Sequence, residues 1–274
     1  MAEQHTPRSL IVSLYGAYGR TPDGGDAEPM RVAELIRLLA AVGVDAPSVR
    51  SSVSRLKRRG LLVAARTSDG AAGYALSDDA HQLLDDGDRR IYEHPAPRLS
   101  DGWVLAVFSV PEAERNKRHL LRSRLSHLGF GAAAPGVWIA PARLYEETRH
   151  TLERLQLAPY VDLFRGEHLG FALTEEAVAR WWDLPAIAKQ HAEFLDLHEP
   201  VLRSWTSGGR SPDPQQAYHD YLLALDSWRR LPYVDPGLPA ELLPAGWPGA
   251  RSAEVFAELH ALLRDAGEEF VRAS

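Results

Sequence analysis

The chain has 274 residues, of which 45% are hydrophobic and 25% charged, and it contains no cysteine. That composition is ordinary for a globular protein of about two or three domains, and the absence of thiols excludes disulfides, thiolate metal sites and cysteine nucleophiles together. Net charge is −6, but residues 1–76 hold ten Lys/Arg against seven Asp/Glu, a balance of +3 that leaves −9 for residues 77–274. The N-terminal residues show no apolar leader-like run, and no later run approaches the roughly 18 apolar residues that a membrane span requires. The expected location is therefore cytoplasmic, with no membrane partner.

Taken in order, Ser9 to Tyr18 predicts a short helix with Leu10, Leu14 and Tyr18 inward, and Arg20 to Pro29 a loop. Val32, Leu35, Ile36 and Leu39 repeat at i, i+3, i+4, i+7, which predicts a second helix closed by Gly43. A third begins at Asp45-Ala46-Pro47. Val49, Val53 and Leu56 give it a narrow apolar stripe, while Arg50, Arg55, Lys57, Arg58 and Arg59 place five cations between Ser48 and Arg59 with no acid. Ser48, Ser51, Ser52 and Arg55 share a face clear of that stripe, and Ser54 adds another short donor. Gly60 stops the helix. Leu61 to Arg66, a Thr-Ser-Asp-Gly turn and Gly73 to Leu76 then predict a hairpin with Asp69-Gly70 at its tip. Helix, helix, short turn, basic helix and hairpin is the order of a winged helix-turn-helix, in which the second helix of the turn enters the major groove. Double-stranded DNA is the partner expected from this order. Arg66, on the wing, is placed to meet a phosphate or the minor groove. An acidic helix over 77–93, capped by Ser77, completes a DNA-binding domain over residues 1–94.

Residues 101–173 read as strand (103–110), helix (112–128), strand (130–134), turn at Pro135-Gly136, strand (137–140), helix (144–157) and strand (161–164). This βαββαβ order is the ferredoxin-like split arrangement, whose open edge or face often pairs with a second copy, so a symmetric homodimer is expected. Helix 112–128 is itself basic through Arg115, Lys117, Arg118, Arg122 and Arg124; its two readings are a solvated face and a contact to phosphate or another anion. From Thr174 to the C-terminus only helical patterns appear, interrupted by a Ser207–Pro214 loop and a Pro/Gly-rich connector over 232–250. The expected fold is α+β in three domains, 1–94, 101–173 and 174–274, the last all helical.

These residues resemble the PaaX-type repressors of bacterial phenylacetate degradation. The likeness runs along essentially the whole chain: Ser-Leu-Ile-Val-Ser-Leu-Tyr-Gly from Ser9, Val49 to Leu56 followed by Arg59-Gly60-Leu61, Tyr74 to Ser77, Gly129-Phe130-Gly131, and Pro135 to Ile139. Most distinctive is the long run from Leu231-Pro-Tyr-Val-Asp to Trp247-Pro248-Gly249. The resemblance implies a dimeric winged-helix repressor with a middle domain similar to the CRISPR-adaptation nucleases. It also implies release from DNA by an aryl-acetyl coenzyme A thioester. That middle fold raises the alternative of a metal-dependent nuclease. Such an activity needs carboxylates at the end of the first middle-domain strand, and there the chain reads Phe108-Ser109-Val110-Pro111-Glu112. His191 and His198 lie seven apart on one helix, not at the i, i+4 spacing of zinc pairs. Neither a nucleophile elbow nor a phosphate-binding glycine loop is present, so no catalytic residue, metal or cofactor is expected.

A dimer would set two recognition helices about 34 to 36 Å apart, or a multiple of that, on an inverted repeat. Arg50, Arg55, Arg58 and Arg59 are expected to neutralise phosphates, the serines to offer short donors, and Arg55, central on the exposed face, to read a base. The effector, phenylacetyl-CoA or another acyl-CoA, is expected between the middle and C-terminal domains, where Trp181, Trp182, Trp205, Tyr218, Tyr221 and Trp228 supply aromatic walls.

Overall fold

The computed structural model describes residues 5–21, 27–92, 97–207 and 213–274. The expected loops over 20–29 and 207–214 lie in part outside the described residues. In chain order the elements are α1 (Pro7–Tyr18), α2 (Val32–Ala40), α3 (Ala46–Arg58), β1 (Leu62–Arg66), β2 (Ala72–Leu76) and α4 (Asp78–Tyr92). Next come β3 (Trp103–Phe108), α5 (Arg115–His127), β4 (Gly131–Ala134), β5 (Val137–Pro141), α6 (Tyr145–Arg154) and β6 (Val161–Gly166). The remainder is helical: α7 (Thr174–Trp181), α8 (Leu184–Thr206), α9 (Pro214–Trp228), α10 (Leu231–Val234) and α11 (Gly249–Arg272). These elements form two compact units, one built from residues 1–93, 193–229 and 251–274, the other from 94–192 and 230–250.

In the first unit α1 starts where the Thr6 hydroxyl accepts the Ser9 amide, with Pro7 in its first turn. It buries Leu10, Ile11, Leu14, Tyr15 and Tyr18. The apolar stripe of α2 is Leu35, Leu38 and Leu39, with Val32 and Ile36 only half-buried; the inward face is turned by part of a turn from the one read off the i, i+3, i+4 spacing. Ser77 accepts the Ala80 amide at 3.1 Å and so caps α4, leaving Asp78 and Asp79 where the helix dipole favours them.

Against α1 packs α9, and between them lies a buried carboxylate. Asp226, fully buried, accepts from the Ser13 hydroxyl at 2.9 Å, from the Ser9 hydroxyl at 2.5 Å and from His5 Nδ1 at 2.9 Å. Trp228 donates its indole N–H to the Ile91 carbonyl at 3.0 Å and stacks on Phe256 of α11, 5.2 Å between ring centres. On α8, His198 shares a 2.9 Å hydrogen bond with Ser227 inside the same core, and burial pushes its imidazole down from the ordinary 6.5 to about 4. The unfolded chain therefore takes up this proton before the folded one does. Its contribution to stability is complete above about pH 6.5 and declines as pH falls towards 4, by roughly 2 kcal/mol at about pH 5. Urea midpoints measured at about pH 7 and pH 5 should accordingly differ more for the native chain than for His198→Asn; equal differences in the two proteins would contradict this.

The second unit carries one four-stranded antiparallel sheet in the order β4-β5-β3-β6, which is the split βαββαβ topology read from the sequence. The alternation of β3 explains why both faces are covered. Val104 and Ala106, with Ala140 of β5, face Leu121 and Leu125 of α5 and Leu152 of α6. Trp103 and Ile139 face the opposite way, onto Val178, Trp182, Leu184, Ile187, Leu238 and Leu242. Gly136, at φ +77°, makes the turn between β4 and β5.

The Pro/Gly-rich stretch after Leu231 is more than a connector. It holds α10 and a short 3-10 turn (Ala240–Leu242), and Asp235 accepts from the Gly237 amide at 2.7 Å and pairs with His191 at 2.9 Å. The last helix runs from Gly249 to Arg272. No helix among the described residues is long and apolar enough to cross a membrane.

Candidate nucleic-acid interface

The position of α3 follows from its ends. Gly43, at φ +80°, breaks the chain after α2, and two residues on Asp45 accepts the Ser48 amide at 2.9 Å as N-cap, with Pro47 in the first turn. Val49, Val53 and Leu56 are buried and hold the helix against α1 and α2. At about 3.6 residues per turn, the side facing away from them is the line Pro47, Ser51, Ser54 and Arg58, all exposed. Arg50 and Lys57 flank it on one side and Arg55 on the other, also exposed. Arg59, the C-cap residue, is exposed too, and among the described residues Arg50, Arg58 and Arg59 pair with no carboxylate.

Two expectations are corrected here. Ser52 is not on the open face: it is fully buried, and its hydroxyl accepts from Arg55 Nη2 at 3.2 Å. Arg55 is accordingly not central but leans towards the packed edge, and the middle of the open face belongs to Ser51, Ser54 and Arg58. Ser48 is half-buried, and its hydroxyl is engaged with the capping Asp45 at 2.8 Å.

The hairpin that follows is fastened at both ends. At its base, Ser77 donates its hydroxyl to the Gly60 carbonyl at 2.6 Å, and the buried Tyr15 of α1 donates to the Tyr74 carbonyl at 2.8 Å. Met30 and Tyr74 exchange backbone hydrogen bonds and so add a third strand-like contact beside β2. At the tip, Asp69 accepts from the Thr67 hydroxyl and the Ala71 amide and pairs with Arg31; these partners, the Thr67 hydroxyl foremost, hold its carboxyl down at about 2. Arg66 is exposed on β1 and donates to the Gly70 carbonyl at 2.7 Å, its remaining N–H groups open to solvent. Lys57 lies 5.9 Å above the Tyr74 ring, which ties α3 to the hairpin by a cation–π contact. Sequence reasoning missed this pair and the Tyr15 anchor, because both join positions without local periodicity.

Comparisons with known proteins bear on this arrangement. Family models described as PaaX-like protein, PaaX protein central Cas2-like domain and PaaX-like protein C-terminal domain match residues 6–80, 96–178 and 182–273. The chain belongs to the PaaX family. A similar curated protein is the Transcriptional repressor PaaX of Escherichia coli (strain K12), 27% identical over 267 residues, covering 96% of this chain and 82% of that one. Among solved structures, the uncharacterized protein Rv0674 from Mycobacterium tuberculosis shares the fold at a TM-score of 0.62 and 23% identity, over 97% of this chain and 99% of that one.

In this PaaX-family chain the six aromatic residues expected to wall an effector site fall into separate groups. Trp181 and Trp182 belong to the sheet-bearing unit with Trp103 (ring centres 5.7 and 6.1 Å away), and Trp182 donates to the Gly129 carbonyl at 3.0 Å. Tyr218, Tyr221 and Trp228 are interior residues of the other unit, where Tyr221 bonds His260 at 2.8 Å. Trp205, half-buried, donates to Asp220 at 2.8 Å. Each of these rings does packing work inside its own unit. His191 and His198, whose spacing spoke against a zinc pair, each bond a side chain of their own unit: His191 binds Asp235 and His198 binds Ser227. Among the described residues no group of three or more His, Asp and Glu side chains is arranged to hold a metal ion.

Proposed function

We propose that this chain is a DNA-binding transcriptional repressor whose first 94 residues form a winged helix-turn-helix, α3 being the recognition helix and the β1–β2 hairpin the wing. The observation that carries the reading is the open face of α3: Ser51, Ser54 and Arg58 exposed between Arg50, Lys57 and Arg55, on a helix pinned from beneath by Val49, Val53 and Leu56. An acid-free cationic helix face with short hydroxyl donors suits phosphate neutralisation and base-edge contact in a major groove. The Escherichia coli relative is a transcriptional repressor, which supports the same reading.

The working form is a cytoplasmic homodimer on an inverted repeat, since two-fold protein symmetry matches two half-sites. An aryl-acyl-CoA, phenylacetyl-CoA first among the candidates, releases it by binding the DNA-incompetent form more tightly. The nuclease alternative gains nothing from the end of β3, where Ser109-Val110-Pro111 offers no carboxylate.

The test is to incubate the purified protein with fragmented genomic DNA and sequence what it retains. A small set of sites sharing an inverted repeat is expected, and retention no better than for random fragments would overturn the reading. Titrating phenylacetyl-CoA and other acyl-CoA esters into the recovered complexes should release the DNA with one of them. Release by none removes the thioester class while leaving DNA binding in place.

A further inference from the structure

Helix α5 is a second acid-free basic helix, in the other unit. Its thirteen residues, Arg115–His127, carry Arg115, Lys117, Arg118, Arg122 and Arg124 without one Asp or Glu. That unit as a whole has thirteen Lys/Arg and thirteen Asp/Glu, so five of its cations are segregated onto one helix of a neutral body. Its neighbour in the same layer, α6, shows the ordinary alternative: Arg149 is held by Glu146 at 3.1 Å and Glu153 at 2.9 Å. On α5, Lys117 and Arg118 reach back to Glu114 (2.8 Å) and Glu112 (3.1 Å), whereas among the described residues Arg115 and Arg122 pair with no carboxylate.

The placement also runs against helix physics. Arg115 stands in the first turn, where the dipole favours anions such as Glu112 and Glu114 just before it, and Arg118 and Arg122 stand at i, i+4 as a like-charged pair. Local choices that disfavour folding mark positions held for another purpose. Leu121 and Leu125 bury one side of α5, and Arg115, His119 and Arg122 lie together on the exposed side, the two arginines about 10 Å apart along the axis.

We propose that this face of α5 is a second phosphate-binding surface for double-stranded DNA, indifferent to base sequence. Two unpaired arginines spaced along a convex helix face fit a long polyanion, whereas a small phosphate-bearing ligand is held in a concave site. The proposal rests on the DNA-binding reading of α3, and the test separates the two. Full-length protein is titrated with a mixed-sequence duplex over a range of salt, native and as Arg115→Gln with Arg122→Gln, beside the α3 variant Arg50→Ala with Arg58→Ala.

The α5 variant should bind several-fold more weakly, with the slope of log K against log salt shallower by about 1.8 and its preference for recovered genomic sites unchanged. If the α5 variant keeps native affinity and slope while the α3 variant loses binding, the α5 surface is overturned and the α3 reading stands. A native protein that binds no duplex overturns both. Coenzyme A titrated calorimetrically supplies the last arm: heat seen with native protein and lost in the α5 variant would overturn the assignment to DNA in favour of a nucleotide ligand.

Discussion

Replacing Arg50 and Arg58 together by alanine is expected to weaken binding to duplex DNA by at least about ten-fold at about 0.1 M salt and to flatten the salt dependence by about 1.8. Both side chains stand on the exposed side of α3 and, among the described residues, neither is paired with a carboxylate. The double change therefore alters no internal contact, and folding stability should move by no more than about 0.5 kcal/mol. Arg58 sits on the central line with Ser51 and Ser54, so Arg58→Ala alone should relax the preference for recovered sites over random sequence. Arg50→Ala should weaken all sequences alike. Fluorescence anisotropy with labelled duplexes at several salt concentrations measures both quantities. Unchanged affinity and slope in the double variant would remove α3 from the interface.

Asp226→Ala is expected to destabilise the first unit by about 3–5 kcal/mol, a large part of the stability of an ordinary domain. The carboxylate is fully buried and gathers the hydroxyls of Ser9 and Ser13 and the His5 ring onto one side chain of α9. Arg229 adds a 3.1 Å bond to the Ser13 hydroxyl. Removing the acceptor leaves the buried Ser13 hydroxyl and the half-buried Ser9 and His5 without this carboxylate, which costs part of their desolvation in addition to the lost bonds. Asp226→Asn keeps one acceptor oxygen and should fall between the two. Urea unfolding followed by circular dichroism gives the comparison, and a loss below about 1 kcal/mol for the alanine variant would show that the cluster is not what joins α9 to α1.

Much of this was legible in the sequence. The strands of the sheet announced themselves through the apolar run from Trp103 and the Pro135-Gly136 turn, and the buried stripe of α3 through Val49, Val53 and Leu56. What periodicity cannot give is the width of a buried face. Ser52 reads as polar and outward, yet α3 is packed broadly enough to enclose its hydroxyl, and Arg55 is drawn to the edge with it. The same limit displaced the inward face of α2 onto Leu38. Proline and glycine after Leu231 read as a connector because they break helices, while the order there comes from Asp235 binding His191 and the Gly237 amide, partners that no local spacing announces. The aromatic residues were visible as residues, but whether a ring faces a cavity or a neighbour is decided by packing at long range.

The unit that presents α3 is assembled from residues 1–93, 193–229 and 251–274, so its floor is synthesised last. A ribosome that has finished α1 to α4 has made this segment without the later helices of its unit, and a chain cut just after α4 would yield the same orphan. Swapping this unit between relatives would therefore mean grafting three separate stretches at once.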